Sequence, residues 1–199
     1  MKTRVETNAS FLALMAVAMV LIPLKWLIAW VVAAAFHELC HLTAMRCFKC
    51  NIHSIKIAPG GAIIDGSPLQ NLSGLICEAA GPIGSLALLL VARWLPAVAV
   101  CGFVQGVFNF LPFHPLDGYK LLNRFLSIWL PAQWSSYISL IIRILAAFVL
   151  VICGMWLYKM QCGPIPLLIA ILVAISDCKN TLQNRGREGT IVLPVTNEV

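Results

Sequence analysis

The sequence predicts an all-α polytopic membrane protein with about six transmembrane helices, and three observations carry that expectation. Of the 199 residues, 60% are hydrophobic and only 11% are charged, whereas soluble domains carry about a quarter charged residues. Uncharged stretches close to the ~20 residues that a helix needs to cross the hydrocarbon core recur along the chain. The 14 Lys and Arg lie scattered between these stretches. The net charge of +6 therefore reads as a set of topology signals and not as a nucleic-acid surface.

The uncharged runs place crossings near Thr7–Leu24, Trp26–Met45, Leu72–Ala92, Trp94–Leu116, Ser136–Tyr158 and Met160–Ser176. The first follows Lys2 and Arg4, which look like the start of a signal peptide. No small-residue cleavage site comes after it, so an uncleaved anchor is expected. Pro23 and Lys25 turn the chain tightly into the second crossing. Between the second and third, Ile52-His53-Ser54-Ile55-Lys56-Ile57 alternates, Pro59-Gly60-Gly61 breaks the run, and Ala62-Ile63-Ile64 follows. That pattern predicts a short β-hairpin or re-entrant element. Near the end of the fourth crossing Pro112 and Pro115 interrupt an apolar helix. Irregular backbone at membrane depth is tolerated only where it is buried in protein or lines a wet cavity.

Residues 1–178 are thus expected to form one integral-membrane domain with its core at 26–122, and 179–199 a short cytoplasmic tail. With the amino terminus inside, Lys25, Arg93 and Lys159 fall on the far side, Arg143 lies within the fifth crossing, and the remaining ten basic residues are cytoplasmic. This bias puts both termini in the cytoplasm. Eight cysteines are present, but Cys77, Cys101 and Cys153 lie inside apolar runs, and Cys47-Phe-Lys-Cys50 is a C-x-x-C with no second pair. Reduced thiols are expected rather than a disulfide framework or a zinc knuckle.

The second crossing contains Phe36-His37-Glu38-Leu39-Cys40-His41, an H-E-x-x-H pattern. On a helix His37 and His41 project from one face a turn apart, so two imidazoles can bind one zinc. Glu38 points about 100° away, where it can reach a zinc-bound water instead of the metal. The five-residue pattern alone is common. A charged residue at the centre of a membrane helix, however, costs ~2.5–3.5 kcal/mol even on lenient scales. Metal binding explains that cost better than a polar cluster that glues helices together.

A zinc site open for catalysis needs a third protein ligand. Among the acidic residues only Glu38, Glu78 and Asp117 lie within or at the edge of a central crossing. The second and fourth crossings run in the same direction, and both His41 and Asp117 sit shortly before cytoplasmic basic residues. They therefore share one cytoplasmic-side layer. A zinc transporter or sensor would instead show acidic or histidine residues in successive layers, and here they concentrate on one side. His53 and His114 read as local polar residues.

The pairing of H-E-x-x-H with Asn109-Phe-Leu-Pro112-Phe-His114-Pro115-Leu116-Asp117-Gly118 resembles the site-2 protease family of intramembrane zinc metalloproteases. The resemblance covers about Trp26 to Leu122 and includes Ala80-Gly81-Pro82 in the third crossing. The six-crossing layout looks like the sporulation branch, which cleaves the pro-sequence of a sigma-factor precursor. The resemblance implies one Zn2+ per chain held by His37, His41 and Asp117, with Glu38 as general base. It makes Asn109 a donor to the substrate carbonyl or developing oxyanion. It implies a membrane-associated protein substrate, admits a regulatory membrane protein as partner, and places the chain in a bacterial cell membrane. Cys40 stands where relatives usually have glycine, and the regulatory domain that members of the branch often carry after the last crossing is not in the sequence. A non-proteolytic scaffold of the same descent would be expected to have lost part of the set His37, Glu38, His41, Asn109 and Asp117. Glu78, at a similar estimated depth to His41, is a candidate partner for a metal-bound histidine or a group lining the water path.

Overall fold

Pro23 opens the helix α1, Leu24–Cys47, and has no amide proton to leave unsatisfied at the helix start. One stripe of α1 is buried at a spacing of four residues: Ala29, Ala33, His37 and His41. The two alanines let neighbouring helices approach closely, and the two histidines continue the same line. Lys49, in the left-handed region at φ 55°, ends the helix, and the Cys50 amide donates back to the Met45 carbonyl at 2.9 Å. The computed structural model describes residues 4–7, 18–50, 52–58, 61–66, 71–161 and 163–188.

A three-stranded sheet flanks α1 in sequence. Strand β1 (Arg4–Thr7) runs parallel to β2 (Ile52–Ala58), with Arg4 opposite Ser54 and Thr7 opposite Ile57. Strand β2 pairs antiparallel with β3 (Gly61–Gly66), with Ile55 opposite Ile64 and a shift of register between Ile52 and Ser54. The sequence expectation had no strand at the amino terminus; it placed Thr7 at the head of the first crossing.

Helix α2 (Asn71–Ala87) carries Pro82 in its interior and tightens into a 3-10 turn at Leu88–Val91. Helix α3 (Pro96–Asn109) starts on a proline and packs against both α1 and α2. The chain then turns through residues 110–116, with Phe113 fully buried, into α4 (Asp117–Trp129). Gly118 permits that turn, because a Cβ there would lie 2.3 Å from the Phe110 carbonyl oxygen at the end of α3. The L-D-G triplet thus brings Asp117 back toward the helices that precede it.

The remaining helices are α5 (Ala132–Lys159) and α6 (Ile165–Glu188). The chain divides into two compact units, residues 1–139 and 140–199. In the second unit Gly154 of α5 lies against Leu167 and Ala170 of α6. Arg143 and Asp177, both buried, join the two helices through Nε–Oδ2 and Nη2–Oδ2 hydrogen bonds of 3.0 and 2.7 Å.

Among the described residues three helices are long and apolar enough to cross a membrane: Leu24–Cys47, Leu72–Val91 and Ala132–Lys159. They correspond to the second, third and fifth expected crossings. Their outward faces expose Ile141, Ile144, Leu145, Phe148, Val149 and Ile152 on α5 alone, a surface suited to lipid and not to water. The protein is an integral membrane protein. The fourth crossing, expected over Trp94–Leu116, is a shorter apolar helix, Pro96–Asn109, because Pro112 and Pro115 stop it. The sixth starts late, after Gln161 (φ 60°), Gly163 (φ 84°) and Pro164. It runs on through Asp177, Lys179 and Asn180, so only its first half is apolar and the expected tail from 179 begins inside a helix. Most of the first expected crossing lies outside the described residues, though 18–21 are helical.

Candidate metal centre

The buried stripe of α1 ends in two imidazoles whose Nε2 atoms lie 3.2 Å apart. Asp117, the first residue of α4, brings Oδ2 to 3.0 Å from His37 Nε2 and 3.1 Å from His41 Nε2. The three atoms form a nearly equilateral triangle. Tetrahedral ligation at the usual zinc–nitrogen length needs edges of about 3.3–3.4 Å, so a small expansion of the triangle accommodates the metal. Among the described residues this is the group of His, Cys, Asp and Glu side chains that could hold a metal ion.

The other nitrogens of the two rings are also occupied. His41 Nδ1 donates to the Cys77 carbonyl at 2.7 Å. That proton leaves the Nε2 of the neutral ring with its lone pair turned toward the other two atoms. His37 Nδ1 shares a 2.8 Å hydrogen bond with the fully buried Ser85 hydroxyl. Asp117 Oδ1, the oxygen outside the triangle, accepts from Lys120 Nζ at 3.2 Å. Electron-rich atoms that converge in a buried place need a cation between them, and this donor set of two imidazoles and a carboxylate suits zinc.

Space for that cation is built into α2. A Cβ on Gly81 would fall 2.1 Å from His41 Nε2, so the Ala80-Gly81-Pro82 stretch leaves open the ground against the ligand atom. Three residues on, a Cβ at Gly84 would meet Cys40 Sγ at 2.3 Å. The Cys40 side chain therefore occupies the room that a glycine on α2 provides, which is how α1 carries a thiol where a smaller residue was expected.

The structure brings together His37, His41 and Asp117. Glu38 is half-buried on the adjoining face of α1. Asn109 is the last residue of α3, half-buried, and its amide donates to the Gln105 carbonyl at 3.1 Å. Glu78 does not bond either histidine. Its Oε1 accepts from Arg124 Nε at 2.9 Å, and it lines an open cleft of about 420 Å³ with Tyr119, Lys120, Asn123, Arg124 and Ser127. The histidine partners are Ser85 and the Cys77 carbonyl, neither of which the sequence reading named. Pro82 does not signal the carbonyl, because the helical bond a proline there removes is the one to Glu78, one residue past Cys77. His114 stacks edge-on against Tyr119 at a centroid distance of 5.4 Å, and His53 has no described side chain. None of the seven described cysteines forms a disulfide.

No family model matches the sequence, and no curated protein matches it. A solved structure does: the Site-2 Protease from Methanocaldococcus jannaschii matches over 98% of this chain and 94% of that one, with a TM-score of 0.56 and 19% sequence identity. The fold is that of a site-2 protease. At this identity the site-2 protease likeness speaks for the path of the backbone, and the chemistry rests on the side chains that the path brings together.

Proposed function

We propose that the chain is an intramembrane zinc metalloprotease that hydrolyses peptide bonds of membrane-embedded or membrane-associated proteins near the cytoplasmic face. The observation that carries this reading is the convergence of His37, His41 and Asp117 within a site-2 protease fold, with Glu38 next to one ligand in sequence. One zinc ion would be held by those three residues, and when bound it would supply a Lewis acid for the scissile carbonyl and lower the pKa of water to near neutrality.

Glu38 takes the proton from the attacking water and returns it to the departing amine, a role open to a carboxylate that neighbours His37 in sequence and lies outside the group that could hold the metal. Asn109 serves as hydrogen-bond donor to the carbonyl oxygen as charge develops there. A peptide bond inside a helix is shielded, so the substrate must unwind first. The sheet supports a way to hold it: β3 packs near α1, and a strand edge can pair with extended backbone. The sequence motifs and layout support a narrower assignment, cleavage of a sigma-factor precursor during sporulation in a bacterial membrane.

The test is Glu38→Gln. This variant should retain zinc, measured on purified protein, and should lose cleavage of a co-expressed membrane-associated precursor. Loss of zinc from it would reassign Glu38 as a ligand, and retained cleavage would remove it as the base.

A further inference from the structure

Asp117 is the first residue of α4, so whatever fixes α4 against its neighbours fixes the third ligand atom. Lys120 contacts Asp117 directly, yet its side chain is 52% exposed. A firmer attachment lies further along. Arg124 follows Asp117 by seven residues, two helical turns, and so faces nearly the same way. Its Nε and Nη2 both approach Glu78 Oε1 of α2 at 2.9 Å.

The arrangement is built from both sides. Gly74 precedes Glu78 by one turn of α2, and a Cβ there would lie 2.4 Å from the guanidinium carbon of Arg124. The guanidinium therefore lies across a bare stretch of helix to reach the carboxylate. Glu78 is 15% exposed and Arg124 29%, and the second carboxylate oxygen of Glu78 is buried with no hydrogen-bond partner among the described residues. An open cleft lies beside the pair, which stands at the edge of the contact between the two helices. Glu78 also follows Cys77, whose carbonyl holds His41, and precedes Ser85, which holds His37, by two turns. One helix, α2, thus supports all three ligands, two directly and the third through Arg124.

We propose that Glu78 and Arg124 form a clamp that seats α4 on α2 and thereby positions Asp117 for the metal. Glu78 is a positioning residue in this account, not a catalytic one. The inference rests on the zinc site proposed above, and the experiment separates the two.

Zinc affinity is measured by chelator competition on the purified full chain in detergent for wild type, Glu78→Gln, Asp117→Asn and the double variant. The zinc range extends to the higher concentrations that a site of two histidines needs. Glu78→Gln should bind zinc about 10–100-fold more weakly than wild type. In the Asp117→Asn background the same change should add little, because the clamp acts through the residue already altered. Full affinity in Glu78→Gln would overturn the clamp. An equal loss in both backgrounds would overturn it too, by showing that Glu78 acts elsewhere. If Glu78→Gln does not fold, Arg124→Gln runs the same cycle with the same two overturning results. Absence of zinc binding by the wild type would instead sink the metal site itself.

Discussion

A buried imidazole whose Nδ1 faces a carbonyl has no choice of tautomer, and His41 is fixed in this way by Cys77. His37 is different, because the Ser85 hydroxyl can either donate or accept. Ser85 therefore decides how firmly the His37 lone pair is aimed. Ser85→Ala should leave the fully buried site packed, since only one atom is lost, and should lower zinc affinity about 10–100-fold in a chelator-competition assay. Undiminished affinity would mean that packing alone holds the ring. At this scale the three residues that could hold a metal were legible in the sequence because each left a mark. His37 and His41 share a helical face at four-residue spacing, and Asp117 sits at matching depth beside a proline-broken turn. Their supports left almost none: a serine in an apolar helix bears no fixed spacing to H-E-x-x-H, and a backbone carbonyl carries no letter of its own. Glu78 is a carboxylate at the depth expected of a histidine partner, but the carbonyl of its neighbour Cys77 makes the bond to His41.

At the scale of elements, long uncharged runs made α1, α2 and α5 legible, since hydrocarbon thickness fixes how many apolar residues a crossing needs. The fourth and sixth runs were harder to bound. Composition stays apolar across Pro112 and Pro115 although the helix ends at Asn109, and α6 continues as a helix after its apolar half is spent. Arg143 shows why charge alone misleads: it stands inside a crossing because Asp177 on α6 receives it. Replacing one member of a buried pair costs about 3–5 kcal/mol, whereas replacing both by apolar groups is close to neutral. Asp177→Leu should therefore lower the thermal unfolding midpoint in detergent, and the added change Arg143→Leu should restore most of the loss. A double variant as unstable as the single one would show that the pair is not the contact that matters between these helices.

For the whole molecule, the sheet imposes a condition that composition alone does not. Strand β1 hydrogen-bonds in parallel with β2, so Thr7 and Ile52 lie on one side of the membrane and an even number of crossings separates them. Helix α1 supplies one crossing. The sequence expects the second in the run from Thr7 to Leu24, most of which lies outside the described residues. On the charge bias read from the sequence, the side shared by the amino terminus and the sheet is expected to be cytoplasmic. Asp117 leads into α4, whose Lys120 and Arg124 belong to the same charge excess, so the same expectation turns the proposed metal site toward the cytoplasm. A reporter active only in the cytoplasm should therefore work when joined ahead of Met1 and when joined after Glu188. Activity of an export-dependent reporter at either end would break the charge argument. Opposite results at the two ends would mean an odd number of crossings and would exclude the six-helix layout.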